Sequence, residues 1–274
     1  MLQSELERLV LEDLGEWDDS SSIIPPLNAE AAIYAKENCV ISGLKEAEQI
    51  ADYFGLEVKR LVDEGQEISA ESKVLTIKGQ AKAILQSERL VLNFLCRMSG
   101  ISTITHQCVE KAGGVRVACT RKTTPGFRAF EKRAVMAGGG DPHRFNLSGA
   151  VMIKDNHLLL MGLENAIKTA KSRSSFTKKI EVEVENLKDM LKAAELGADI
   201  IMFDNMDPAL IKEGVDLLKS KGLRRGIALE ASGGIDPKNV ADYASTGVDV
   251  ISIGALTRKA EWIDFSLEIE RCGE

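Results

Sequence analysis

The chain lacks the devices on which most protein-centred catalysis is built. Its 274 residues contain no serine elbow, no P-loop and no pair of histidines at metal-binding spacing. No glycine-rich dinucleotide fingerprint follows the first strand, which argues against a doubly wound nucleotide-binding fold. The five cysteines (39, 96, 108, 119 and 272) are an odd number and form no C-x-x-C pair. A disulfide framework and a zinc site are therefore excluded as organising features, and free thiols in a reducing cytoplasm are expected. No run of ~18 apolar residues is available to span a bilayer. Glu5, Glu7, Arg8, Glu12 and Asp13 give the N-terminus the wrong chemistry for a signal peptide. Positive charge is also in deficit, with 35 Lys and Arg against 42 Asp and Glu and a formal net charge of -7. A surface of that sign is repelled by nucleic acids and anionic membranes.

What remains is the composition of an ordinary globular enzyme, 44% hydrophobic and 28% charged. The length suits one α/β barrel or two modest domains. Leu6, Leu9, Val10 and Leu14 lie at helical spacing in the stretch from Leu2, and Pro25-Pro26 breaks the chain after a polar run. Strands are expected over Ala31 to Ile41, Leu56 to Leu61 and Val74 to Ile77, with a helix from Leu44 to Tyr53. Ala81 to Met98 reads as a helix too apolar for a free surface, closed by Ser99-Gly100. From Val115 onward, short apolar strands alternate with helices: 115–119, 150–153, 180–184, 199–203, 227–231 and 248–252. That rhythm predicts consecutive β-α units and a parallel sheet. Six strands are fewer than a closed barrel of eight requires, so an open barrel or further unread strands are both consistent.

The active end of such a fold lies at the carboxyl ends of its strands. There the sequence places Thr120-Arg121-Lys122, Lys154-Asp155-Asn156, Glu183 to Glu185, Asp204-Asn205, Ser232-Gly233-Gly234 and Gly254. A single cation after a strand is usually a solvated loop residue. Suitable chemistry at every strand end, in an acidic chain, points to a small and multiply anionic ligand. The alternation of Glu181, Glu183 and Glu185 puts three carboxylates on one strand face. An unpaired buried carboxylate costs several kcal/mol, so cations, metal or ligand hydroxyls must meet them. An edge strand with one wet face is the alternative. The glycine-rich loops after the last two strands suit a phosphate held by backbone N–H groups. His106 reads as structural, and His157 as either a core histidine or a catalyst.

These residues carry a family resemblance. Thr120 to Gly126, Gly138-Gly139-Gly140-Asp141-Pro142-His143-Arg144 and Ile153-Lys154-Asp155-Asn156-His157 resemble nicotinate-nucleotide pyrophosphorylase, also called quinolinate phosphoribosyltransferase. So do Glu181-Val182-Glu183-Val184, Asp204-Asn205, Glu230 to Gly234 and Ser252 to Leu256. The similarity spans nearly the whole chain in the family's order. One departure is Trp17-Asp18-Asp19-Ser20-Ser21, where the family usually has a Gly-Asp-Leu-Thr-like stretch.

The resemblance implies an N-terminal α/β sandwich domain (1–105) and an open, TIM-barrel-like α/β barrel with fewer than eight regular strands (106–274). A last helix would return to the first domain. It implies transfer of phosphoribose from phosphoribosyl pyrophosphate to quinolinate with Mg²⁺, giving nicotinate mononucleotide, pyrophosphate and carbon dioxide. By motif, Arg121, His143, Arg144 and Lys154 would contact quinolinate carboxylates or phosphates, with Thr120 beside them and Lys122 on the donor. Glu183 and Asp204 would hold ribose hydroxyls and the magnesium shell. Ser232, Gly233 and Gly254 would take the 5′-phosphate. Lys122, Lys154, Glu183 and Asp204 form the implied catalytic set. Arg89 would reach across a homodimer into the partner's site. ModD-type relatives share the Arg-Lys-Thr and glycine loops but lack the Lys-Asp-Asn-His run, which is intact here. A ModD-like enzyme with another acceptor, an aldolase using Lys154 as a Schiff base and a non-catalytic anion-binding barrel are the alternatives.

Overall fold

In the computed structural model, which describes residues 1–272, the chain forms two compact units. The first comprises Met1–Thr103 and the segment from Ala260 onward, the second Ile104–Lys259. The division falls inside one long helix, two residues before the expected boundary.

In the first unit, helix α1 (Gln3–Leu14) precedes strand β1 (Asn28–Ala35), and a two-residue strand β2 (Cys39–Val40) follows. The single strand expected over 31–41 is thus two pieces. Between them Asn38 turns its side chain to accept from the Ala70 backbone N–H at 2.8 Å. Helix α2 (Leu44–Tyr53) is started by an anion from elsewhere in the chain. The Glu64 carboxylate accepts from the N–H groups of Gly43 and Leu44 at 2.8 and 3.1 Å, satisfying orphan donors at the positive end of the helix. Strands β3 (Glu57–Arg60), β4 (Glu67–Ile68) and β5 (Lys73–Gln80) follow. The antiparallel sheet has the order C-terminal strand, β1, β5, β3.

Two expectations fail here. The C-terminal segment is a strand, Phe265–Cys272, rather than a helix, and Phe265, Leu267 and Ile269 alternate at strand period. Nor does Ser99-Gly100 end the apolar helix, because α3 runs uninterrupted from Ala81 to Lys111. A Cβ on Gly100 would lie 1.9 Å from the Glu261 carbonyl oxygen, so this glycine permits a close backbone crossing instead of a cap. Ser99 Oγ accepts from the Ser42 N–H at 3.0 Å, giving its hydroxyl a tertiary partner.

The second unit continues through β6 (Arg116–Ala118), α4 (Arg128–Ala137), β7 (Val151–Ile153), α5 (Asp155–Met161) and α6 (Leu163–Arg173). After these come β8 (Ile180–Val184), α7 (Leu187–Glu195), β9 (Ile200–Asp204) and α8 (Pro208–Ser220). The last turns are β10 (Ala228–Ser232), α9 (Val240–Ala244), β11 (Val250–Ser252) and α10 (Ala255–Arg258). The six strands pair in parallel in the order β6-β11-β10-β9-β8-β7. The strands β6 and β7 are unpaired with each other among the described residues, which leaves the barrel open.

Register decides what each face carries. Val182, Ile201 and Leu229 are fully buried on one face. The opposite face stacks Met152 beside Glu181, then Glu183 beside Met202 and Glu230, then Asp204 beside Ser232 and Ser252. Registered neighbours point the same way, so one pleat collects the polar side chains of four strands.

Candidate active site

A cavity of about 620 Å³ opens at the carboxyl ends of these strands. Thr120, Arg121 and Lys122 line it after β6, His143 and Arg144 from the next loop, and Lys154 after β7. Glu183, Asp204, Ser232 and Gly233 also line it, whereas Gly254, expected beside them, does not and lies behind the Lys122 side chain. Since β6 and β7 are the two edges of the sheet, its curvature brings cations from both edges around carboxylates from its middle.

The loop after β6 is held by hydroxyls. Thr120 Oγ1 accepts from the Lys122 N–H at 3.1 Å, and the Thr257 hydroxyl donates to the Lys122 carbonyl at 2.7 Å. Glu131, fully buried on α4, accepts from both the N–H and the hydroxyl of Thr124 at 3.0 Å. Gly254 clears space for the lysine: a Cβ there would sit 3.2 Å from Lys122 Cδ. Arg121 points a buried Nε at no hydrogen-bond partner. A buried donor without a partner is rare in native proteins, and an anionic ligand would supply what is missing.

The second cationic loop is spliced onto β6. The Asp141 N–H donates to the Val117 carbonyl at 2.8 Å, and Cys119 N–H donates to the Asp141 carbonyl at 3.0 Å. Asp141 also accepts from the His143 N–H at 2.7 Å and so holds His143 in a left-handed conformation with φ 51°. Both histidine nitrogens are engaged inside the protein. Nδ1 accepts from the Arg144 N–H at 2.7 Å, and Nε2 faces Glu230 at 3.4 Å and Glu181 at 4.0 Å. The proton therefore sits on Nε2. Burial opposes charge on this ring, but the Glu230 and Glu181 carboxylates outweigh it and move its pKa upward.

Beneath the cations lie Glu181, fully buried, and Glu230, 2% exposed. Burial first, and then the neighbouring Glu230 carboxylate, push the Glu181 acid up to about 8. Neither oxygen of Glu181 has a hydrogen-bond partner. Lys154 bonds directly to Glu183, whose pKa is nevertheless raised, because burial and the carboxylates of Asp204 and Asp155 outweigh the lysine. The cation–glutamate pairing expected from the strand pattern is met by Lys154 at Glu183, whereas Glu181 has only His143 Nε2 at 4.0 Å and no hydrogen-bonded cation.

Gly233 has φ 101°, and a Cβ there would come within 2.3 Å of Asn205 Oδ1. Only glycine fits this turn, which leaves Ser232 and Gly234 on the cavity wall. His157 is exposed and turned to its own backbone, accepting from the Lys154 N–H at 3.1 Å, which fits a helix-start role. Arg89 is exposed on α3 in the first unit and is absent from this lining. Sequence reasoning missed Arg258, a fifth lining cation, which sits at the far end of the four-residue helix after β11, beyond the strand-end residues that drew attention. It also passed over Lys132, whose aliphatic stem disguises it in a helix.

A parallel α/β sheet whose loops gather cations around ordered carboxylates defines a barrel-type transferase for multiply anionic substrates. Residues 101–268 match the C-terminal domain of quinolinate phosphoribosyl transferase, and residues 18–99 match its N-terminal domain. The chain belongs to the quinolinate phosphoribosyltransferase family. It is 47% identical over 244 residues to the "probable nicotinate-nucleotide pyrophosphorylase (carboxylating)" of Methanothermobacter thermautotrophicus, covering 87% of this chain and 88% of that one. The nicotinate-nucleotide pyrophosphorylase (carboxylating) of Rattus norvegicus is 38% identical over 268 residues, covering 96% and 89%. Among solved structures, the nicotinate-nucleotide pyrophosphorylase of Francisella tularensis superposes with a TM-score of 0.91 at 33% identity, covering 98% of each chain.

Proposed function

We infer that this chain transfers the phosphoribosyl group of phosphoribosyl pyrophosphate to quinolinate and releases carbon dioxide, a step of NAD biosynthesis. The relatives' names describe the same reaction written from the nucleotide side. The observation that carries this reading is the two-signed cavity. Arg121, Arg144 and Lys154 offer positive charge to two carboxylates, with His143 seated under them. Lys122, the turn of Ser232 and Gly233 after β10, and Gly254 after β11 serve the phosphorylated donor.

The chemistry asks little nucleophilicity of the protein, since the pyridine nitrogen attacks C1′ itself. Bringing two anions together is an entropic and electrostatic task, which fixed cations perform. As the bond to pyrophosphate breaks, positive charge develops at C1′, and Glu183 and Asp204 lie on the wall that would stabilise it. The alkylated ring then carries a positive nitrogen, and the adjacent carboxylate leaves as carbon dioxide. A proton takes its place on the ring carbon.

Glu183 and Asp204 also fit a magnesium site, being two carboxylates on the same cavity wall, with burial and the Asp204 charge both disfavouring the ionised Glu183. Mg²⁺ typically binds through one or two carboxylates, waters and substrate phosphates, and when bound it neutralises charge on the leaving pyrophosphate. We further propose a cytoplasmic homodimer in which Arg89 completes the partner's site. Purified protein incubated with quinolinate, phosphoribosyl pyrophosphate and Mg²⁺ should release carbon dioxide and form nicotinate mononucleotide. Binding of both substrates with no product would leave only an anion-binding barrel.

A further inference from the structure

Lys132 stands behind the site, on α4, and is 2% exposed. Its Nζ donates to the Pro142 carbonyl, to the Thr120 carbonyl at 3.4 Å and to Cys119 Sγ at 3.3 Å. No carboxylate lies within ion-pairing distance of it among the described residues. A methionine would fill the same space without burying a charge, so packing alone does not explain an ammonium here. What the ammonium does is bind two loops at once. Thr120 immediately precedes Arg121, and Pro142 precedes His143 and Arg144. One cation therefore ties the backbones that carry the two arginines, and adds positive potential behind them.

The other half of the first loop has a separate anchor. The Lys122 carbonyl accepts from the Thr257 hydroxyl at 2.7 Å, at the end of the sheet where Gly254 makes room for the lysine side chain. Lys132 does not touch this hydrogen bond.

We propose that Lys132 is a positioning residue for the acceptor: it sets the separation of Arg121 and Arg144 that quinolinate's adjacent carboxylates require, while Thr257 independently positions Lys122 for the donor. This rests on the functional reading above. The test is calorimetry of quinolinate and of phosphoribosyl pyrophosphate, each alone, on wild type, Lys132→Met, Lys132→Arg and Thr257→Val, with melting temperatures alongside. Lys132→Met should weaken quinolinate about tenfold or more and leave donor affinity within about threefold, because a preorganised contact is lost on one side only. Lys132→Arg should recover part of the loss, and Thr257→Val should show the reverse split.

Unchanged quinolinate affinity in folded Lys132→Met, or equal weakening of both ligands, overturns the proposal even if its melting temperature falls. Should that variant not fold, Lys132→Leu also removes every N–H donor, and unchanged quinolinate affinity there overturns it equally. Wild type that binds no quinolinate would overturn the functional reading as well, whereas normal wild-type binding with an indifferent Lys132→Met sinks this inference alone.

Discussion

The two units use charge in opposite ways. In the first, ionic groups meet mainly at the surface: Lys73 bonds to both oxygens of Glu270 at 2.8 and 2.6 Å, and Lys36 reaches Glu71 and Glu268 at 3.3 and 3.4 Å. Glu46 is its buried carboxylate. In the second, Glu131, Lys132, Glu181 and Glu230 are all 2% exposed or less. Exposed pairs are cheap to make and contribute little, so their placement needs no functional cause. Buried charges are costly, and they persist where a network or a ligand requires them. Burial of charge, more than its density in the sequence, marks the working unit.

The comparison predicts first that cations of the second unit serve ligand rather than fold. Arg121→Ala and Lys154→Ala should each fold normally and lose activity by roughly a hundredfold or more, as expected for a fixed electrostatic contact. A large fall in melting temperature with activity kept in the folded fraction would show a structural pair instead.

The comparison breaks if the first unit also supplies a site residue, which is the role proposed for Arg89. Mixed Arg89→Ala and Lys154→Ala subunits would then form hybrid dimers with one intact site, recovering roughly a quarter of wild-type activity after random exchange. Subunits shown to exchange without recovery would remove Arg89 from any shared site.

Asp204→Asn sharpens the division inside the second unit, between its cationic loops and its carboxylate wall. The variant should raise the Mg²⁺ concentration needed for half activity by about tenfold, since one charged ligand is lost. Quinolinate affinity, which the cations govern, should stay nearly unchanged by calorimetry. Equal loss of quinolinate binding would merge the two halves.

Glu181 gives the comparison a pH dependence. Its acid is raised from 4.5 to about 8 by burial and by Glu230, so the folded state holds this proton where the unfolded state releases it. Stability from Glu181 is therefore full below its unfolded value and lost as pH rises through the folded one, at no more than about 1.4 kcal/mol per pH unit. Glu181→Gln should flatten the fall in melting temperature between about pH 5 and pH 8. An unaltered pH profile would mean the carboxyl is not held as an acid.

The loop of His143 and Arg144 follows helix α4 and was carried by its motif. The cationic runs after β6 and β7 were legible in sequence because each follows a short apolar strand and stands out against an acidic chain. The parallel sheet was legible for the same reason, since alternating strands and helices leave a local pattern. Long-range pairing leaves none: Ala35 meets Phe265 across the sheet, and nothing near Phe265 announces it. The Ser99-Gly100 pair misled because glycine at a helix end and glycine at a backbone crossing are spelled alike. Glu230, inside Ala228–Ser232, was carried only by the family motif, since one acid in a short strand has no period of its own. The engagement of both His143 nitrogens is a matter of loop geometry that no spacing encodes.

The smallest expected effect lies in the first unit. Glu270 accepts from Lys73 and also from the Tyr34 hydroxyl at 2.5 Å, so it joins β1, β5 and the C-terminal strand on one sheet face. These bonds hold the carboxyl below its usual range, with Lys73 the larger cause and Tyr34 the next. The group is solvent-exposed, and salt and water screen most of that interaction. Glu270→Gln removes the charge and keeps an oxygen that can accept from Tyr34. Its melting temperature should fall by no more than about 2 °C, the scale of a weak surface pair in a protein of this size, and activity should not change. Scanning calorimetry at low and high salt checks both parts. A fall several times larger, persisting in high salt, would show that the first unit also depends on its charges and would erase the contrast.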